Sequence, residues 1–121
     1  MTVPRFTSVE DYLASLDPVK ATTLKSIIDF ILTEFPELES KLSWNVPQIH
    51  RKGKYVFGVC AFKNHLALAP LSPRVLAAFK ARLAKYVVKS NLFQVPVDWE
   101  MDGELVKDLV RARLAELDGA S

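Results

Sequence analysis

Few side chains in this sequence have the types and spacing that chemistry requires. His50 and His65 are the only histidines. Imidazole is a common metal ligand, but the two lie outside the short spacings of metal motifs. The expected strand register also puts them on opposite faces of a sheet. Cys60 is the single cysteine and sits between Val59 and Ala61. A reactive thiolate needs a neighbouring cation or helix N-terminus. The local sequence supplies neither, so Cys60 reads as a small buried apolar group. Glu34, Glu37 and Glu39 gather around Pro36, and Glu10 and Asp11 lie near the start. Such carboxylates are hard ligands of the kind iron and magnesium take; solvated helix ends are the plainer reading. Arg82, Lys85 and Lys89 recur at helical spacing and suit either a phosphate or open solvent. Trp44 and Trp99 fall where strands begin or end and read as core-edge aromatics. Glycine-rich phosphate loops, nucleophile elbows, paired catalytic carboxylates and zinc spacings are all missing from the sequence. We therefore expect a protein that is not an enzyme.

Charge is distributed unevenly. Residues 1–49 carry seven acids and four bases, and residues 50–121 carry seven acids and twelve bases. Between Glu39 and Asp98 there are ten bases and no carboxylate. Either the acidic terminal segments fold over this stretch, or it faces an anionic partner. The candidate anion-binding residues are Lys54, Lys63, Arg82, Lys85 and Lys89, with Trp44 and His65 completing the set. A small phosphate or carboxylate near Trp44 and Lys63 fits them, as does a partner protein's acidic face. The net charge of +2 and the lack of a recognition-helix pattern argue against nucleic acid. No run of about 18 apolar residues could span a membrane. One cysteine, and no apolar signal core behind Met1–Arg5, point to the cytoplasm.

These residues need a scaffold, and 121 residues fit one domain, 1–121. Thr7 and Glu10 read as a capping box that opens a helix running to Leu16. Asp17-Pro18 starts the next helix, with Leu24, Ile27, Ile28, Ile31, Leu32 and Phe35 on its apolar face. Residues 36–42 are expected to add another helical turn or two. Strands follow over 46–50, 55–62 and 65–69, joined by turns at Lys52-Gly53 and Lys63-Asn64. Ser72-Pro73 opens a helix whose apolar face runs to Tyr86. A strand over 91–97 and a helix from Asp102-Gly103 close the chain. The order implies an α+β fold, an antiparallel sheet of four to five strands with helices packed against it. With those turns as centres, Val46, Tyr55, Phe57, Val59, Ala61, Leu66 and Leu68 form the core face. Pro47, Ile49, Val56, Gly58, Cys60, Ala67 and Ala69 form the other. Its small centre is open to a helix of the same chain or to a ligand.

The middle segments carry a resemblance. Lys41-Leu42-Ser43-Trp44-Asn45-Val46-Pro47, Lys52-Gly53-Lys54, Ala61-Phe62-Lys63-Asn64-His65 and Pro70 occur in the order seen in the YdhG-like family of small bacterial domains (domain of unknown function 1801). Asp11-Tyr12-Leu13 and Arg111-Ala112-Arg113-Leu114-Ala115-Glu116 resemble that family's two ends, so the likeness runs from about residue 9 to 117. It implies the family's α+β fold. One branch is described as frataxin-like intracellular iron chaperones. Through that branch the resemblance implies a binding or chaperone module that requires no cofactor. Ferrous or ferric iron would be its cargo, held on Glu34, Glu37, Glu39, Glu10 and Asp11 for delivery to a partner. The sequence departs from the family at Lys89-Ser90-Asn91-Leu92-Phe93, where members often carry glycines.

Overall fold

The computed structural model describes residues 5–119. Its elements run α1 (Val9–Ala14), α2 (Pro18–Glu34), β1 (Glu39–Ser43), β2 (Val46–Arg51), β3 (Lys54–Ala61), β4 (Leu66–Ala69), α3 (Pro73–Ala78), β5 (Val87–Val88), β6 (Phe93–Val95) and α4 (Gly103–Leu117). The strands form one antiparallel sheet in the order β1-β2-β3-β4-β6-β5. The expected α+β architecture is present, with six strands in place of four to five.

Local chemistry sets most boundaries. The Asp17, Ser72 and Asp102 side chains each accept the backbone N–H three residues on, capping α2, α3 and α4. At α1 the cap is Ser8, not Thr7, and Asp11, not Glu10, reaches back to the Thr7 N–H. Lys52 and Gly53 both take positive φ, +50° and +84°, as a two-residue hairpin turn of primed type requires. Residues 36–42 are not helical: Pro36 stops α2, and residues 39–43 become β1 by pairing along the whole of β1 with β2. The helix from Pro73 ends at Ala78. Beyond it the chain continues in tight turns, with Leu83 N–H bonded to Lys80 O and Tyr86 N–H to Leu83 O.

The largest departure is in register. The turn at Lys52-Gly53 is where the sequence puts it, with Arg51 opposite Lys54 and His50 opposite Tyr55. Ile49 then pairs with Phe57, so Val56 is an extra residue, a β-bulge. The bulge moves Pro47 and Ile49 onto the core face and Val46 and Tyr55 onto the other. Ile49, Phe57, Val59, Leu66, Leu68, Phe93 and Val95 meet Leu24, Ile27 and Ile31 of α2 and Val106, Leu109 and Val110 of α4 in one buried cluster. Full burial of a side chain such as Phe57 contributes about 2–3 kcal/mol.

Pro47 lacks an N–H, and the β2–β3 ladder stops next to it at Gln48. The Ala61 N–H beyond that break donates to the Tyr12 hydroxyl at 2.9 Å, which docks α1 on the sheet. Over Gly58, the atoms nearest a virtual Cβ all belong to Gln48, the closest being Oε1 at 2.6 Å. The small centre of the second face is thus filled at Gly58 by a side chain of the next strand.

Candidate partner-binding surface

The stretch from α3 to β5 holds Arg74, Lys80, Arg82, Lys85 and Lys89 and no acid. Arg82 is committed: its guanidinium bonds Asp108 at 2.7 Å and lies over the Phe79 ring. Lys80, Lys85 and Lys89 are exposed and make no ion pair among the described residues. Lys85 and Lys89 flank β5, whose valines are 53% and 42% exposed at Val87 and Val88. These are large apolar exposures for an edge strand.

Tyr86 anchors this end. Its hydroxyl accepts the Trp99 indole N–H at 3.2 Å, and its ring packs on Phe93 with centroids 5.6 Å apart. The Lys85 ammonium sits over the same ring at 5.4 Å. On one side of β5 a groove of about 470 Å³ is lined by Leu76, Lys80, Leu83, Ala84, Tyr86 and Val88, among others. A cleft of about 240 Å³ on the other side is lined by His65, Lys85, Tyr86, Val87, Gln94 and neighbouring residues. Asp98 and Glu100 line an adjoining cleft beyond Tyr86 and Trp99. A mostly apolar groove with the unpaired Lys80 ammonium on its lining, and Lys85 across β5, can hold apolar side chains while attracting carboxylates.

The expected anion-binding set is brought together only in part. His65 and Lys85 share a cleft. Lys63 shares the β3–β4 turn with His65 but does not line that cleft, and Lys54 is at the opposite end of β3. Trp44 belongs to the β1–β2 hairpin and is 71% exposed, which corrects its reading as a core-edge aromatic; Trp99 keeps that role. Trp44 and Asn45 take φ of +54° and +63°. A bulky side chain in that region is strained. Trp44 stays there while packed against Tyr55, ring centroids 5.0 Å apart, and Tyr55 in turn hydrogen-bonds Ser43 and lies beneath the Lys41 ammonium.

The carboxylates expected to hold iron are divided. Glu34 pairs with Lys107 at 3.3 Å, and Glu37 and Glu39 are exposed at the end of the sheet that carries His50. Glu10 and Asp11 lie on α1, next to Phe6, whose N–H bonds Asn45 in the hairpin at the other end; Asp11 serves as a capping residue. No group of three or more His, Cys, Asp or Glu among the described residues is placed to hold a metal ion. The His50 ring is occupied by the Gly53 N–H at its Nδ1, and burial pushes the Cys60 thiol up from its ordinary value.

Sequence reasoning missed the linkage at the chain's closing segment. Arg113 donates from Nε to the Tyr55 carbonyl at 3.1 Å and from its guanidinium to Glu116 at 2.7 Å. Glu116 also accepts the Ser72 hydroxyl at 2.9 Å, and Ser72 caps α3. The Ser72 hydroxyl and the Arg113 guanidinium hold the Glu116 carboxyl below its ordinary range. This chain of bonds ties the β3 bulge to the helix that walls the groove. The recurrence of charged residues in Arg111–Glu116 was the available signal, but not the partners.

Solved structures share this fold. A protein of the DUF1801 family, YdhG from Bacillus subtilis, superposes with a TM-score of 0.81 at 25% identity, covering 93% of this chain and 90% of that one. The chain has the YdhG-like fold. An uncharacterized conserved protein from Lactobacillus casei has the same fold at a TM-score of 0.61 and 23% identity, over 95% of this chain and 96% of its own. In sequence, an intracellular iron chaperone frataxin of Bacillus subtilis is 24% identical over 109 residues, 88% of each chain. No family model matches. Within the YdhG-like fold of this protein, no helix among the described residues is long and apolar enough to cross a membrane.

Proposed function

We propose that this YdhG-like protein is a non-enzymatic, cytoplasmic docking module, and that the groove between α3 and β5 receives an acidic surface of a partner protein. One observation carries the reading: Lys80 on the lining of a mostly apolar groove, Lys85 in the cleft across β5 and Lys89 just after β5 all stand without carboxylate partners among the described residues. Unpaired ammonium groups at a rim attract acids over a distance, and the apolar floor supplies contact area. Catalysis finds little support by comparison, with the lone thiol half-buried and pushed toward its neutral form. Titration with polyglutamate across a salt series tests this reading. Affinity should fall as salt rises, because exposed charges are screened within ~10 Å at ~0.1 M. It should also fall when Lys80, Lys85 and Lys89 are all changed to Ala. Binding that ignores salt, or survives the triple change, overturns it.

A second reading is iron delivery, favoured by the likeness to a protein named as an intracellular iron chaperone. Glu37 and Glu39, like Glu10, are exposed and have no ion-pair partner among the described residues, and these two lie close together in the chain, so they are the pair proposed to take the cargo. Anaerobic calorimetry with ferrous iron tests it: heat that disappears with Glu37→Ala and Glu39→Ala supports the reading, and no heat removes it.

A further inference from the structure

We infer that the partner adds to the sheet as a strand: an extended segment with alternating apolar and acidic residues pairs with the open edge of β5. This rests on the docking function proposed above and specifies its geometry. Val87 pairs with Gln94 and Val88 with Phe93. The Lys89 N–H donates to Leu92 O at 2.8 Å, closing the hairpin around Ser90-Asn91. Antiparallel ladders alternate hydrogen-bonded and non-hydrogen-bonded pairs. The pair Lys89–Leu92 is bonded, so Val88–Phe93 is not, and Val87–Gln94 is bonded again. The Val88 N–H and C=O therefore point away from β6. β5 ends the sheet, and no partner for these two groups occurs among the described residues.

The surroundings suit a strand better than a helix or a folded surface. Side chains of an added strand alternate between the two faces of the sheet. Clefts lie on both sides of β5: the larger groove includes Val88 and the smaller one Val87, as their opposite orientations require. One set of side chains would enter the groove over Leu76, Leu83 and Ala84, and the other would pass beside Lys85 and His65. Charge then selects the occupant. A second copy paired antiparallel through β5 would set Lys85 against Lys89 at both ends, a repulsive arrangement. An acidic segment places carboxylates against both lysines. Lys85 and Lys89 stand at the two ends of this edge and Lys80 lines the groove, while Asp98 and Glu100 lie in the adjoining cleft beyond Tyr86 and Trp99.

An eight-residue peptide alternating valine and glutamate is the probe, titrated into the whole protein and followed by backbone amide resonances. Shifts are expected at Ala84, Val87 and Val88, and a valine–lysine counterpart should leave them unmoved. Val88→Pro removes the outward N–H without removing a β5–β6 hydrogen bond, as an edge position allows. It should weaken binding by about tenfold, the effect of one lost hydrogen bond. Val88→Glu keeps the backbone but puts a like charge at the edge, and should weaken binding too; it serves if the proline variant fails to fold. If the peptide shifts the groove residues but binds both variants as tightly as the original, the docking function stands and strand addition is overturned. If neither this peptide nor polyglutamate binds, both fall. A dimer that Val88→Pro dissolves would replace the acidic segment by a second copy and overturn the choice of occupant.

Discussion

The two edges of the sheet are managed in opposite ways. β1 is five residues long and carries Glu39 and Lys41 exposed on its outer strand. Charged side chains along an edge discourage another strand from pairing there. Its hairpin is closed by a strained Trp44 that packs back onto Tyr55. β5 is two residues long, uncharged within the strand, and walled by clefts on both sides. Brevity protects β5 from indiscriminate pairing, and the lysines at its ends would bias a strand pairing with it toward acidic segments. An edge guarded by charge of both signs rejects strands generally, whereas an edge flanked by one sign selects among them.

Removing the anchor of the open edge should have the largest effect. Tyr86 supports β5 through Phe93 and Trp99. Tyr86→Ala is expected to lower unfolding free energy by about 2–3 kcal/mol, somewhat below the cost of a fully buried aromatic, with a matching fall in the denaturant midpoint. A change below about 0.5 kcal/mol would show that the β5 end is not held by this residue.

The guarded edge should respond in the other direction. Trp44→Gly relieves a positive φ, which costs a bulky residue roughly 1–2 kcal/mol, at the loss of one ring contact with Tyr55. We expect a gain of about 0.5–1 kcal/mol by chemical denaturation. A loss of stability would mean that the Trp44–Tyr55 packing outweighs the strain.

The smallest effect concerns acid. Glu116 has a folded-state value below its ordinary one. Its contribution is therefore present above the ordinary glutamate range and lost as pH falls through that range toward the folded value. Because Glu116 accepts from the α3 cap Ser72, the groove wall should loosen at acid pH. Glu116→Gln should flatten the acid limb of a stability–pH profile. An unchanged limb would place the acid sensitivity elsewhere.

Much of the scaffold was legible in the sequence, and the two edge strands were hidden for physical reasons. The caps Asp17, Ser72 and Asp102 and the turn at Lys52-Gly53 act locally, through their own side chains or backbone, so one sequence displays them. The bulge at Val56 left no such mark. Val56 is a β-branched residue in a run that suits a regular strand, and only pairing with β2 shows that it is extra. β1, with Glu39, Ser40 and Lys41, has weak strand propensity and exists through its partner. β5 was concealed because Val87 and Val88 continue the apolar run of the expected helix. The cationic cluster was visible as composition, but which of its basic side chains remain unpaired depended on Asp108 reaching Arg82 from α4. The proposed iron carboxylates looked like a group because sequence places Glu34, Glu37 and Glu39 close together, while Lys107 claims the first of them in the fold.

Hydrogen exchange at the two edges is the most direct test. In β1 the alternation from Ser43–Val46 points the Ser40 and Leu42 amides outward, as Val88 is in β5. All three should exchange rapidly in the free protein. With the valine–glutamate peptide bound, the Val88 amide should slow by about tenfold or more while Ser40 and Leu42 stay unchanged. Equal slowing at both edges, or a Val88 amide that exchanges as before at saturating peptide, would contradict the assignment of β5 as the selective edge.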